Sequence, residues 1–500
     1  MKKNKFHFTV LFIAIVVYLV TAVYSEGYYY PDEHYQIVEF ANFKLGRQAE
    51  AKLPWEYKAG IRSAIQPTLC YFFLKGFNSM GVTNPYTLAM ALRILTALLS
   101  LAALFCFVTA SLYLVAPRNW YVYILLSYFL WFLPYINVRF SSESWSGDLF
   151  LLAVAMILSG RTTKRMNLGM IGVLLGLSFL FRYQSAILSA ALLAWLLFVK
   201  KEKIGRLAVI VAGSLSMLFL GAVLDIWFYK TNTFTPANYF KVNIMDGAAS
   251  VWGASPWWFY FWHILHYTLF PIGLLLIVSL LTLLIKSPRN IIVWIVFPFI
   301  VLHSIIPHKE TRFLFPIANF SALLLVLAWQ EAKGLDLVFL RKPLFRSFGY
   351  VIAVLLVVIN LAGLMALTFK AAGNGDKKIT RCIYNEFSGK SVKLFYGENA
   401  NPYSAGGMLY ESFYSNPGEV EVPLNKTDLT DPEKMVDPGK INLLVLRKGD
   451  PLNPTKGNAF GNLRLTKLGQ SIPGWVEGLG MFYYYPENNK ILVLYRIEKN

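Results

Sequence analysis

The chain has 500 residues, 56% hydrophobic and 15% charged, with a net charge of +19 and a mean hydropathy of +0.48. A soluble globular chain carries roughly 25% charged residues, so this composition excludes a soluble enzyme and a disordered scaffold and points to a protein with many membrane spans. Nucleic acid is not implied either: residues 371–500 are nearly balanced, 16 basic against 14 acidic, while the first 370 hold 31 against 14. A basic excess confined to loops between apolar runs is what the positive-inside rule produces.

In chain order, Met1-Lys2-Lys3-Asn4-Lys5 precedes the apolar run Phe6–Tyr24, which lacks a small-x-small cleavage site and reads as a retained signal anchor. A long loop follows, opening Tyr30-Pro31-Asp32-Glu33-His34-Tyr35-Gln36-Ile37-Val38-Glu39. Pro31 suits a helix N-terminus, with Asp32 and Glu33 in the first turn, where the dipole favours carboxylates. The pair is either a helix cap or a general base on a loop at the membrane surface. Trp55-Glu56-Tyr57 fits an interfacial aromatic belt or a substrate contact. Arg62, in Ile61-Arg62-Ser63-Ala64-Ile65-Gln66-Pro67, fits anionic headgroups in general or one specific phosphate.

Ala64–Val82 is apolar enough to cross but contains Pro67, Lys75 and Gly76. The later runs are Tyr86–Ala116, Tyr121–Asn137, Trp145–Ser159, Met166–Val199, Leu207–Trp227, Trp257–Ile285, Ile291–Ile306, Phe313–Trp329 and Phe345–Phe369. Met166–Val199 is long enough for two short spans meeting near Arg182, which makes about 11 helices in all. Parity decides the ambiguous segment. If Ala64–Val82 stays outside as a juxtamembrane helix, the inner loops collect 17 basic residues, Lys164, Lys201 and Arg341 among them, against Glu202, Glu331 and Asp336. If it crosses, Arg161, Lys164 and Arg165 fall on the wrong side.

With that topology the polar clusters gather on the outer face. Arg139-Phe140-Ser141-Ser142-Glu143 and Arg182-Tyr183-Gln184 place arginines beside apolar runs, costly unless paired or wetted. Asp225-Ile226-Trp227-Phe228-Tyr229 opens a loop rich in aromatics, Phe234–Asn243 and Trp252–Tyr260, suited to an interface anchor or a sugar-stacking surface. His263 and His266 have the i, i+3 spacing of metal ligands but lack a third ligand nearby. His308-Lys309-Glu310-Thr311-Arg312-Phe313 packs four ionisable groups into five positions between two spans. Residues 371–500 alternate strand-like runs (Lys393–Tyr396, Leu443–Leu446, Ile491–Ile497) with helical and Gly/Pro/Asn-rich stretches, a small α/β domain without a phosphate loop. The cysteines, Cys70, Cys106 and Cys382, form neither a metal spacing nor a disulfide framework. A carboxylate pair, several cations and aromatics on one face suit a lipid-linked phosphorylated substrate, the cations holding a leaving phosphate and a carboxylate taking the proton of an attacking hydroxyl.

Pro31–Glu39, Pro54-Trp55-Glu56-Tyr57 with Ile61-Arg62-Ser63, Asp225–Tyr229, Asn238–Asn243 and above all His308–Phe313 resemble glycosyltransferase family 22. These are the polyprenyl-phosphate-mannose-dependent α-mannosyltransferases, with the third mannosyltransferase of GPI-anchor assembly as the nearest pattern. The chain departs from that pattern at Leu53-Pro54, at Tyr183 after Arg182, and from residue 371 onward. The resemblance implies a polytopic α-helical GT-C fold: a transmembrane catalytic domain over 1–370, with its first outer loop at about 25–85, and an extracytoplasmic α/β domain over 371–500. It implies inverting transfer of a sugar, mannose by preference, from a polyprenyl-phosphate donor to a lipid-linked or envelope glycan. Asp32 and Glu33 are then the catalytic candidates. His34, Gln36, Glu39, Trp55, Arg62, Arg139, Glu143, Arg182, Asp225, His308, Lys309, Glu310 and Arg312 are the candidates for binding donor or acceptor. No metal site is assigned and a divalent-metal requirement is left open; the partners are donor, acceptor and membrane lipids, without nucleic acid. A short N-terminus and no visible ER-retrieval signal favour a bacterial inner membrane with the site facing the periplasm, over an ER membrane with the site facing the lumen. A flippase or a glycan ligase is the competing reading.

Overall fold

The computed structural model describes residues 2–160, 164–251, 253–333, 343–373, 375–405, 409–415, 418–424, 436–450, 463–472 and 491–499, together with 452, 460 and 474. Arg161, Trp252 and Arg341 lie outside the described residues. The chain forms two compact units. One comprises Met1–Ala22, Lys58–Thr68 and Leu92–Thr368; the other comprises Val23–Tyr57, Leu69–Ala91 and Phe369–Asn500.

The first unit is helical. Among the described residues four helices are long and apolar enough to span: Asn4–Tyr24, Pro85–Leu114, Ile204–Tyr229 and Ser347–Phe369. Thr311–Ala318 and Ser321–Ala332 form a pair bent by 69°, and Arg165–Phe181, Tyr183–Val199, Phe270–Lys286 and Ile291–Ile305 are shorter apolar helices. The long run Met166–Val199 breaks at Arg182, which is extended (φ −146°, ψ 110°). Two runs that read as continuous are interrupted. Tyr121–Asn137 divides into Trp120–Phe129 and Leu133–Ile136, and Trp257–Ile285 into Phe259–Tyr267 and Phe270–Lys286. Each second piece begins with a proline at its N-terminus, Pro134 or Pro271, where the missing N–H costs nothing. Ala64–Val82 contains a helix of 15 residues, Ile65–Ser79, about 22 Å long and short of a ~30 Å hydrocarbon core.

Small residues set the packing that builds the site. A Cβ on Gly172 would lie 2.0 Å from the Ile210 carbonyl oxygen, and one on Gly176 2.7 Å from that of Ser214, so Arg165–Phe181 and Ile204–Tyr229 touch backbone to backbone. Ser146 and Ser178 exchange hydrogen bonds of 2.8–3.0 Å, tying Ser142–Leu158 to the same helix. A Cβ on Gly147 would meet Pro316 Cα at 2.7 Å. That close approach carries Glu143, one turn earlier, to the start of the bent pair. A buried polar pin ties the end of Leu133–Ile136 to the bend of the 311–332 pair. Asp148 accepts from Ser100 and from Asn319 (3.2 Å), and Asn319, at the 69° bend, exchanges hydrogen bonds of 2.9 and 3.1 Å with Asn137.

In the second unit the strands are β1 (Val392–Tyr396), β2 (Ser404–Ala405), β3 (Leu409–Tyr410), β4 (Glu419–Pro423), β5 (Ile441–Arg447), β6 (Leu463–Gln470) and β7 (Leu492–Lys499). β2 and β3 pair antiparallel; the others form one sheet in the order β4-β1-β5-β7-β6, parallel across β4-β1-β5 and antiparallel across β5-β7-β6. Phe395, Leu444, Leu446, Val493 and Tyr495 fill its core. β1, β5 and β7 are the apolar runs legible in the sequence. β4 and β6 are the sheet's edges, where Glu419 and Glu421, or Arg464 and Thr466, alternate with apolar residues, a polar pattern that suits an edge strand.

Candidate active site

The helical unit gathers two of the predicted cations, Arg182 and Arg312, around one carboxylate. Ser141 caps the Ser142–Leu158 helix by accepting from the Ser144 N–H, which places Glu143 in its first turn, 1% exposed. Glu143 Oε1 lies 3.2 Å from Arg182 Nη1 and 3.3 Å from Arg312 Nη1. Arg312 also directs Nε to Glu310 Oε2 at 2.5 Å, and Glu310 Oε1 meets His308 Nε2 at 2.9 Å. The Arg182 guanidinium sits 4.8 Å over the Phe313 ring and that of Arg312 5.6 Å from it. Three separate stretches, 139–143, 182 and 308–313, thus converge on a network of two guanidiniums and two carboxylates, in which Glu143, Arg182 and Arg312 are buried and Glu310 half-buried. The hydrogen bond that His308 donates to Glu310 holds the His308 pKa above its usual value, against the opposing effect of burial.

Lys309 differs in kind. Its ammonium donates to the carbonyls of Ile306 (2.6 Å), Ser255 (2.8 Å) and, more weakly, Pro307 (3.4 Å), and burial lowers its pKa. Three N–H donors on three carbonyls hold the loop together. Arg182, by contrast, has five donors and Glu143 as its ion-pair partner.

Other candidates act on backbone. Asp225 accepts from the Ala64 N–H (2.7 Å) and from Thr235 Oγ1 (2.5 Å), and Tyr229 donates to the Arg62 carbonyl (2.6 Å), so both anchor the 61–64 turn. Arg62 is half-buried, and Arg139, fully buried, sits 5.1 Å over the Tyr135 ring. His263 donates through Nδ1 to the Phe259 carbonyl and stacks on Phe259, while His266 stacks on Trp262. Among the described residues no three His, Cys, Asp or Glu side chains gather as a metal site.

In the second unit the first-loop motif separates by role. Pro31 starts a short helix, Pro31–Tyr35, in which Glu33 reaches back to accept from the Tyr29 N–H at 3.1 Å; Glu33 is buried, Asp32 half-buried. His34 is sandwiched between Tyr28 and Tyr414, with ring centroids at 5.2 Å on both sides, and bonds Glu39 at 3.0 Å. Glu39 also accepts from the backbone N–H groups of Ser412 (2.7 Å) and Phe413 (2.9 Å), while Gln36 donates to Glu56 (2.9 Å). His34 and Glu39 therefore fasten the loop to residues 412–414, Gln36 ties it to Glu56 within the loop, and Trp55 stays exposed. Sequence reasoning missed the other half of this fastening: Glu411, buried, takes Lys377 and the hydroxyls of Tyr28 (2.6 Å) and Tyr35 (3.3 Å). It also passed over Asp148, although a lone carboxylate inside an apolar run is a signal of its own.

The model of the Alg9-like mannosyltransferase family matches residues 9–389. The chain belongs to the Alg9-like mannosyltransferases. With its long apolar helices it is an integral membrane protein. It is similar to GPI mannosyltransferase 3 of Yarrowia lipolytica, 27% identical over 317 residues, covering 62% of this chain and 60% of that one. It is also similar to mannosyltransferase APTG1 of Arabidopsis thaliana, 26% identical over 306 residues, covering 60% of this chain and 54% of that one. The chain thus spans about three fifths of the length of such curated relatives. Its fold is similar to that of ArnT from Cupriavidus metallidurans, solved bound to undecaprenyl phosphate, with a TM-score of 0.54 at 13% identity over 98% of this chain and 97% of that one.

Proposed function

We propose that this Alg9-like chain is a membrane glycosyltransferase that moves a sugar, mannose on the family's pattern, from a polyprenyl-phosphate donor to a hydroxyl of a lipid-linked or envelope glycan. The observation that carries this reading is the convergence of Arg182 and Arg312 on Glu143. Guanidiniums held by carboxylates are preoriented, and present a rigid fork to a phosphate whose charge grows as it leaves. In this reading Arg182 is the main phosphate contact, Arg312 supports it, and Lys309 shapes the loop. Asp32 takes the proton of the acceptor hydroxyl, and Glu33 holds the Tyr29 N–H that leads into the helix. A phosphate needs little acid help to depart, so one base suffices for a single displacement with inversion. The reaction runs on the extracytoplasmic face, which in a bacterium is the periplasmic face of the inner membrane.

The flippase reading calls for uncommitted charge deep in the spans. Asp148, the carboxylate inside the Ser142–Leu158 helix, has its two oxygens bonded to Ser100 and Asn319, which supports a pin between helices instead. The test is transfer of radiolabel by purified protein from polyprenyl-phosphate mannose to a panel of lipid-linked and envelope glycans, with Arg182→Gln beside wild type. Transfer that falls on the order of 10²-fold in the variant supports the reading. Movement of intact lipid-linked glycan across vesicles, without sugar transfer, defeats it.

A further inference from the structure

Beside the cation–carboxylate network lies a buried polar atom that the proposed mechanism does not use. His303 is in the last turn of the Ile291–Ile305 helix and is 1% exposed. Its Nδ1 is 2.9 Å from the Phe299 carbonyl. A carbonyl only accepts, so Nδ1 carries the proton and donates. Among the described residues Nε2 has no hydrogen-bond partner. The ring neighbours are Phe299 at 4.1 Å and Tyr260 and Phe313 at 6.3 Å each. Phe313 is also the ring beneath Arg182, whose charge is within electrostatic reach of the imidazole.

Buried acceptors are satisfied in nearly all native structures, and one left over beside a reaction site calls for an explanation. The chemistry of this one is specific. With the proton on Nδ1, the neutral ring offers only a lone pair at Nε2. A phosphate oxygen in its ionised form is also an acceptor and cannot satisfy it. A hydroxyl can. The sugar of a polyprenyl-phosphate donor is attached directly to the phosphate, so its hydroxyls fall beside whatever cation holds that phosphate, and aromatic rings such as Phe313 and Tyr260 suit the C–H face of a sugar.

We propose that His303 Nε2 accepts a hydrogen bond from a hydroxyl of the transferred sugar, which makes His303 a specificity-determining residue of the donor subsite. This rests on the proposed glycosyl transfer and on the assignment of phosphate to Arg182. Removing the acceptor leaves a sugar hydroxyl unpaired, and removing that hydroxyl leaves Nε2 unpaired. The two losses are therefore one loss counted from two sides.

The experiment is a cycle. Wild type and His303→Phe are assayed for kcat/KM with polyprenyl-phosphate mannose and with its 2-, 3-, 4- and 6-deoxy analogues. On the mannose donor His303→Phe should lose on the order of 10- to 100-fold. Wild type should lose a similar factor on one deoxy donor, and on that donor His303→Phe should lose nothing further. Each ratio is taken within one preparation, so a partly unfolded variant does not imitate the result; if His303→Phe does not fold at all, His303→Ala is read in the same way. Deoxy losses equal in variant and wild type at every position, or a variant with wild-type kcat/KM on mannose, would overturn the inference while leaving glycosyl transfer intact. Wild type inert toward every polyprenyl-phosphate donor would overturn the function and this inference together.

Discussion

Glu143→Gln is the perturbation that reaches furthest into the site. The change keeps shape and removes the charge at an oxygen 3.2 Å from one guanidinium and 3.3 Å from another. At an effective dielectric of about 20 each of these pairs carries about 5 kcal/mol of gross attraction, most of it offset by desolvation and by repulsion between the two arginines. Breaking a buried pair by removing one partner typically costs about 3–5 kcal/mol. Arg312 keeps Glu310, at 2.5 Å, whereas Arg182 loses the partner it shares with Arg312. The lower end, about 3 kcal/mol, is therefore expected. Unfolding in detergent by graded SDS would measure it, with Arg182→Gln and the double variant completing a cycle. The double variant should be less unstable than the sum of the singles by more than about 1.5 kcal/mol, because it leaves no charge stranded. Additive losses, or a Glu143→Gln loss below about 0.5 kcal/mol, would refute the account of a shared counterion.

Three further outcomes follow from the geometry. Asp32→Asn should retain folding, since a half-exposed first-turn carboxylate is worth at most about 1 kcal/mol, yet lose at least about 10²-fold in turnover; Glu33→Gln, which weakens the hydrogen bond accepted from the Tyr29 N–H by removing its charge, should lose about 1 kcal/mol of stability and little turnover, and the reverse pattern, by melting and transfer assays, would move the base to Glu33. Gly172→Ala should lower the melting temperature clearly, because its Cβ would lie 2.0 Å from the Ile210 oxygen and overpacking of this kind costs about 1–3 kcal/mol or more; an unchanged melting point would contradict the close helix contact. The raised His308 pKa means that its stabilising pair with Glu310 is fully present below the unfolded His pKa and is lost as pH rises through the folded one. The stability gap between wild type and His308→Gln should therefore be greatest near pH 5–6, stay under about 1 kcal/mol for a half-buried, partly screened pair, and close at alkaline pH; a gap that widens with pH would reverse the assignment.

Much of the fold was legible because the bilayer demands apolar length. The break at Arg182 was readable, since an arginine between two apolar runs has to sit at a boundary. The breaks near Pro134 and Pro271 were hidden inside runs whose hydropathy never falls, and only the proline marked them. Arg182, Glu143 and Arg312 were each candidates on residue type alone, but their meeting at one carboxylate oxygen depends on Gly147 lying against Pro316, a contact between distant stretches. At Lys309 residue type and fold give different pictures: lysine next to a span suggests phosphate, while the fold of its own loop turns three carbonyls toward it. The first-loop motif is similar. Its His34, Gln36 and Glu39 look chemical and are used internally, on partners at Glu56 and 412–413 that no local pattern reveals. Strands β4 and β6 escaped because an edge strand alternates charge with apolar residues and offers no apolar run.

The claim on which the rest depends is direct transfer from a polyprenyl phosphate, with Asp32 as the base. It is tested most directly by a single-turnover reaction of purified protein with β-linked polyprenyl-phosphate mannose, following released polyprenyl phosphate and the anomeric configuration of the new bond by NMR, in wild type and Asp32→Asn. The account predicts an α-linked product formed in step with phosphate release, no sugar covalently held by the protein, and both signals reduced by at least about 10²-fold in Asp32→Asn. A β-linked product, a trapped glycosyl–protein adduct, or an Asp32→Asn protein as fast as wild type would contradict it.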